Sequence, residues 1–313
     1  MGEKAKKIGD KLEGFGEKIY ERFGWDELVR NKEIKCIKSV HKNANDERTR
    51  THGIDLYHKY YDPYKQKTIG IITECKNYAW SSIATANLQK WFDQLLGTIE
   101  CAQISEEMNE YNKQCEVNNT GILMVHANDG KYDEKKFREY LSKLTYKSRR
   151  NTTNIFIASN NEIEKWDAMF GCIEREFKES NFNFYYPSIM GSKLMKTKYI
   201  TLDQLFSTYV FAENIKEEDY NKDGVIGKKS IVQSVVFSFD KIDKSAFLYL
   251  CNMFKELQLE RADEYIFCFY PQTKEDSEYI NENFVECIKP QLASEKVKVK
   301  ILDNRRLSPV DTK

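Results

Sequence analysis

T-I-G-I-I-T-E-C-K, Thr68–Lys76, is the stretch on which the fold turns. Its period of two puts Ile69, Ile71, Thr73 and Cys75 on one face of a strand, with Gly70, Ile72, Glu74 and Lys76 on the other. Glu74 and Lys76 therefore stand side by side at the end of an otherwise apolar strand. Charges are rarely placed in so hydrophobic a run unless they are paired or hold a metal. A second short segment, H-G-I-D at His52–Asp55, begins the strand expected beside it and offers Asp55 as a further carboxylate. Two carboxylates and an ammonium at one spot suit a hard dication and a water nucleophile.

Working outward, strands are expected near Glu33–Val40, Gly53–Tyr60 and Thr68–Cys75, with a turn at Asp62–Lys67 built on Pro63. Upstream, Ile8, Leu12, Phe15 and Ile19 are at helical spacing in Lys4–Phe23. Downstream, Ser81–Cys101 reads as a long helix, Gly121–His126 as a strand, Glu134–Leu144 as a helix and Thr153–Ala158 as another strand, with a helix from about Asn161. Later, Ile231–Phe239, Glu264–Tyr270 and Val297–Leu302 alternate with two apolar helical stripes, which predicts a β-α-β-α-β unit with a parallel sheet. The polar segment Asn214–Lys229 separates the two halves. Domains are thus expected at 1–213 and 231–313, with a linker at 214–230.

This order of charged residues resembles the PD-(D/E)XK, or restriction-endonuclease-like, nuclease superfamily. The resemblance implies an α/β core of α-β-β-β-α-β order with a mixed sheet, followed here by the smaller C-terminal domain. Its aspartate falls on Asp55, its acidic residue on Glu74 and its lysine on Lys76. Its helix carboxylate falls on Glu17, with Glu21 as the fallback, and a glutamine following the lysine strand falls on Gln89 or Gln94. Ile54 stands where the family's name has proline, a loosely held position. The resemblance further implies a Mg2+ (or Mn2+) ion held by Asp55, Glu74 and the carbonyl of Cys75. Lys76 would orient or deprotonate the attacking water, or stabilise the transition state. The implied substrate is DNA, and a single site of this kind cuts one strand, so a homodimer or partner protein subunit is expected. Anti-phage or anti-plasmid defence suits a nuclease joined to an unfamiliar domain. The other class of function is a catalytically weak subunit using the same fold as a binding module.

Composition narrows the remainder. The 313 residues carry zero formal net charge, so nucleic-acid contact has to come from local patches. Candidates are Arg48 and Arg50 before Asp55, and the basic stretch Lys131–Arg150 ending in Arg149 and Arg150. His52 is a candidate for phosphate contact or proton transfer, although a histidine without function is the plainer reading. Eight cysteines lack C-x-x-C spacing, and Cys75, Cys101, Cys251 and Cys268 sit in apolar segments, which reads as buried free thiols. With no apolar run long enough to span a bilayer, a cytoplasmic location is expected. The D-Y-N-K-D-G run from Asp219 starts like a calcium loop, but Ser230 occupies the position of the bidentate glutamate.

Overall fold

The computed structural model describes residues 19–42, 47–146, 152–178, 181–187, 195–222, 225–257, 259, 262–290 and 292–303. The chain divides into two units that meet in sequence between Ile163 and Glu164.

The first unit is built on a five-stranded sheet in the order β1 (Asp26–Lys35), β2 (Thr51–Asp62), β3 (Lys67–Tyr78), β4 (Val117–Ala127) and β5 (Asn154–Ala158). A tight turn, with Gln66 at φ 52°, joins β2 to β3 and makes them antiparallel. The path from β3 to β4 runs through helix α1 (Thr85–Ala102), and such a crossover leaves the two strands parallel. In α1, Leu88, Trp91, Leu95 and Ile99 recur at three- and four-residue spacing and are buried against the sheet. The approach is close: a Cβ on Gly121 of β4 would meet Ile99 Cδ1 at 2.6 Å and the Ile72 carbonyl oxygen at 3.0 Å. Helical residues 19–23 cover the opposite face. There the Tyr20 and Thr73 hydroxyls lie 2.7 Å apart, and Trp25 stacks on Tyr60. Both faces are therefore buried, which is why Ile69, Ile71 and Ile72 interrupt strict alternation with a near-continuous apolar run. Helix α2 (Glu134–Leu141) starts where the Asp133 side chain accepts a hydrogen bond from the Lys136 amide.

The first strand begins earlier than its sequence suggests. Ile37 and Val40, expected within it, are 48% and 74% exposed and lie beyond its end.

The second unit starts within helix α3 (Asn160–Glu176). Its six-stranded sheet has the order β11-β10-β9-β8-β6-β7, with β6 at Phe182–Tyr186, β7 at Met195–Thr197, β8 at Tyr209–Lys222, β9 at Val225–Ser238, β10 at Glu264–Phe269 and β11 at Val297–Ile301. The parallel set β9, β10 and β11 is the β-α-β-α-β unit expected, with α4 (Lys244–Glu256) and α5 (Lys274–Ile288) as its crossovers. Phe247, Phe254, Phe267 and Phe284 pack between these helices and the strands. Three antiparallel strands extend it, so the second unit is larger than expected.

The segment 214–230 is not a linker. Strands β8 and β9 pair continuously from Tyr209↔Ser238 to Lys222↔Val225, and the expected domain limit at 213 falls inside β8. Asp219 pairs across that hairpin with Lys228, which replaces the calcium-loop reading with a strand ladder. Asn181–Tyr186 likewise joins this second sheet rather than the first.

Candidate active site

Asp55 and Glu74 are set opposite each other by the β2–β3 register. The antiparallel ladder ends at Leu56↔Thr73; its register continued by one residue sets Asp55 toward Glu74 on one face, and the two line one cleft. That face is the one α1 covers, since Ile72 and Glu74 of β3 stand beside Gly121 and Leu123 of β4. Asp55 Oδ2 accepts a hydrogen bond from the Cys75 amide at 2.7 Å. Lys76, two residues on from Glu74, bonds its ammonium to Glu74 Oε1. The acid pair lines a cleft of about 670 Å³ whose walls include His52, Gln89, Lys90, Asp93, Gln94 and Thr145.

Burial raises the pKa of Asp55, against the Cys75 amide and the Lys76 ammonium, which pull it down. Burial also raises that of Glu74; Lys76 opposes the shift, while the neighbouring Asp55 adds to it by like-charge repulsion. For Lys76, burial works downward, but the Glu74 and Asp55 carboxylates outweigh it and the net shift is upward. The ammonium therefore stays charged while the two acids resist ionising together. A group of this kind, two hard oxygen donors short of positive charge, fits a divalent cation.

Other residues singled out from sequence fall in several places. Gln89 is on the cleft wall, but its amide is engaged: Nε2 donates to the Thr145 carbonyl at 3.0 Å, and Oε1 accepts from the Thr145 amide at 2.8 Å. Gln94 lines the same cleft. Glu21 is exposed and is not among the lining residues, while Glu17 lies outside the described residues. Arg48 and Arg50 are exposed and do not line the cleft; among the described residues, Lys42 and Lys90 are the lysines and arginines that do. Of the basic stretch 131–150, Arg138 bonds Glu134 and Glu162, and Lys136 pairs with Asp133, so part of its charge is neutralised locally. Arg149 and Arg150 lie outside the described residues. On the same face as Asp55, Tyr57 is a core residue and donates to Asn112 Oδ1 at 3.0 Å.

His52 is part of a buried group that sequence reasoning missed. Cys36, His41, His52 and Cys101 place one ligand atom each within 4.8 Å of one another, a set able to chelate a metal ion. Burial, helped by His41 and opposed by Glu100, pushes the His52 imidazole down to about 4, so it is neutral at physiological pH. Among the described residues no helix is long and apolar enough to cross a membrane.

A mixed sheet with an acid, an acid and a lysine where its antiparallel strands meet its parallel ones is the arrangement of the PD-(D/E)XK nuclease superfamily. Within it, the chain belongs to the family described as GAPS4 protein PD-(D/E)XK nuclease domain, whose model matches residues 1–162. That match ends one residue before the boundary between the two structural units. No curated protein matches the chain.

Proposed function

We propose that the first unit is a metal-dependent nuclease that hydrolyses phosphodiester bonds of DNA, using Mg2+ or Mn2+. The observation that carries this reading is the facing pair Asp55 and Glu74, both raised in pKa by burial in one cleft, beside a charged Lys76. A bound dication would supply Lewis acidity at the scissile phosphate and a more acidic water. The Cys75 amide fixes the Asp55 carboxylate, so its second oxygen has a defined direction; the Cys75 carbonyl is the third donor in this scheme. Lys76 is held in place by Glu74, and its retained charge suits it to orient the water and offset charge building on the phosphate rather than to act as a base. Gln89, tied to Thr145, shapes the wall of the cleft. The second unit, with its own apolar core, serves assembly or regulation, and the whole acts in anti-phage or anti-plasmid defence.

The test is cleavage of duplex DNA, single-stranded DNA and RNA by the full chain with Mg2+, with Mn2+ and with excess chelator. The expected result is metal-dependent DNA cleavage that Asp55→Ala abolishes. Equal cleavage in chelator would overturn the metal mechanism, and metal-independent DNA binding without cleavage in any condition would favour the binding-module role.

A further inference from the structure

Beyond the acid pair, four side chains far apart in sequence converge on a single point. Cys36 follows β1, His41 lies in the connection to β2, His52 is the second residue of β2, and Cys101 is in the last turn of α1. Of the six separations between their ligand atoms, four are 4.0 Å for Cys36 Sγ to Cys101 Sγ, 3.5 Å from each sulfur to His41 Nδ1, and 3.2 Å for His41 Nδ1 to His52 Nε2, and the two from the sulfurs to His52 are within 4.8 Å. With Zn–S near 2.3 Å and Zn–N near 2.0–2.1 Å, a regular tetrahedron has edges of roughly 3.8 Å between sulfurs, 3.5 Å between sulfur and nitrogen, and 3.3 Å between nitrogens. The first four separations follow that order and size. We propose that Cys36, His41, His52 and Cys101 bind one Zn2+ ion in a closed structural site, separate from the acid pair.

The surroundings are those of a metal centre with its outer shell in place. His41 Nε2 donates to Glu100 Oε2 at 3.0 Å, which leaves Nδ1 with its lone pair toward the other three ligands. Glu100 is itself buried and is matched by Lys38, 2.8 Å away. The Ile37 amide points at Cys101 Sγ at 3.4 Å, a donor suited to a thiolate. Cys36 Sγ lies 3.3 Å from the Lys38 carbonyl oxygen, a thiol contact that ionisation would release. Two thiolates balance the ion's charge, and the buried Glu100 is balanced by the half-buried Lys38. Helix α1 gives up a side chain to make room: a Cβ on Gly97 would lie 3.2 Å from His52 Cε1 and 3.5 Å from His41 Nδ1. Thiolate and imidazole together select zinc over the hard cations suited to the acid pair. Four protein ligands leave no open position, so the ion's work is structural. It ties the β1–β2 connection to α1 and fixes the start of β2, three residues before Asp55. The inference stands whether or not the acid pair cuts DNA.

The full chain, purified under reducing conditions without chelator, is expected to carry about one zinc per molecule by elemental mass spectrometry. Replacing zinc with Co2+ should give the visible bands of a tetrahedral site and a near-ultraviolet thiolate-to-cobalt band. Cys36→Ser and Cys101→Ser should lose both the metal and these bands, while Asp55→Asn keeps them. If the cysteine variants fail to fold, the cobalt spectrum of the wild-type chain decides. Wild-type protein that takes up neither zinc nor Co2+, or that forms a Cys36–Cys101 disulfide in place of metal under these reducing conditions, would overturn the proposal. So would zinc that survives Cys101→Ser but leaves with Asp55→Asn, since the ion would then sit on the acid pair.

Discussion

Glu74 in the first sheet and Glu264 in the second are both glutamates on strands, each bonded to a lysine, yet their pKa shifts run in opposite directions. Burial raises Glu74 further than its Lys76 can lower it. At Glu264 burial is also the largest single influence and raises the pKa, but the bonds from Lys298 and Gln233 and the charges of Lys298 and Lys216 together overcome it, leaving the group lowered. In the second sheet Glu264 stands alone among cations, and its partly exposed ion pair helps a little. The first sheet puts two acids in a cleft, where they oppose each other and the fold. A protein retains such an arrangement when something other than stability depends on it.

The largest effect expected from breaking this contrast is on chemistry. Lys76→Ala should lower cleavage by at least ~100-fold, through loss of a charge aimed at the developing phosphate; Lys298→Ala should leave the rate within about twofold. Turnover of plasmid DNA measures both, and a comparable loss in the two variants would remove the distinction.

Stability comes next. Glu74→Ala leaves the Lys76 ammonium, whose side chain is 17% exposed, without its hydrogen-bonded carboxylate and with only Asp55 to offset it, and should destabilise by about 2–3 kcal/mol. Glu264→Ala, at a 47% exposed lysine, should cost less than about 1 kcal/mol. Urea denaturation of the two variants gives both figures.

Asp55→Asn should work the other way and stabilise the apo protein, with a Tm higher by about 2–4 °C at neutral pH. Because burial holds the folded pKa of Asp55 above its unfolded value, ionising Asp55 weakens the fold as pH rises through the folded value. The advantage of the asparagine is therefore full above that pKa and vanishes below about 3.8, where the acid is protonated in both states. A melting series across pH, in chelator, reads this directly; a constant offset at every pH would show that Asp55 is not a strained acid.

The smallest effect concerns the helices that cover the two sheets. Gly→Ala inside a helix is ordinarily worth ~0.5–1 kcal/mol in the stabilising direction. At Gly97 that gain should be cancelled, because the added methyl crowds His52, and zinc retention should fall by a few-fold in a chelator-competition assay. A Tm raised by the full helical increment, with metal retained, would mean the imidazole has room to move.

How far all this could be read in the chain depends on what each segment buries. Strands β2 and β3, helix α1 and strand β4 were legible because their core residues recur at clean periods. Strand β1 was displaced by several residues because D-E-L-V-R-N-K-E-I-K is an edge with a bulge between Glu27 and Val29 and a left-handed Asn31, and it buries little on either face. The hairpin of β8 and β9 was hidden by charge: Glu217, Glu218 and Asp219 suggest a linker, yet they pair with Ser230, Lys229 and Lys228. The dipeptide Asp223-Gly224, between the paired Lys222 and Val225, was the signal to heed. At the acid pair, alternation brought Glu74 and Lys76 together and the resemblance to the nuclease superfamily added Asp55, while the strand register that places Asp55 beside them is visible only in the fold. The cysteine–histidine group escaped because its members are spread over 36–101 with no repeated spacing. The hint was that two of the chain's four histidines stand near Cys36, and that Gly97 and Cys101 share a helix face.

Gly121 has a bearing on how this protein can change. Helix α1 rests on the sheet at that point through the Ile99 and Leu95 side chains, with none on the strand beneath them, and the same helix carries Gln89 on the cleft wall and Cys101 in the cysteine–histidine group. Position 121 therefore acts as a shared datum: whatever lifts the helix there misaligns two centres of different chemistry at once. Mutational drift can tune either centre through its own residues, but not through this one. A deep substitution scan should find Gly121 among the least permissive positions of the first unit, although it touches no substrate and holds no ion.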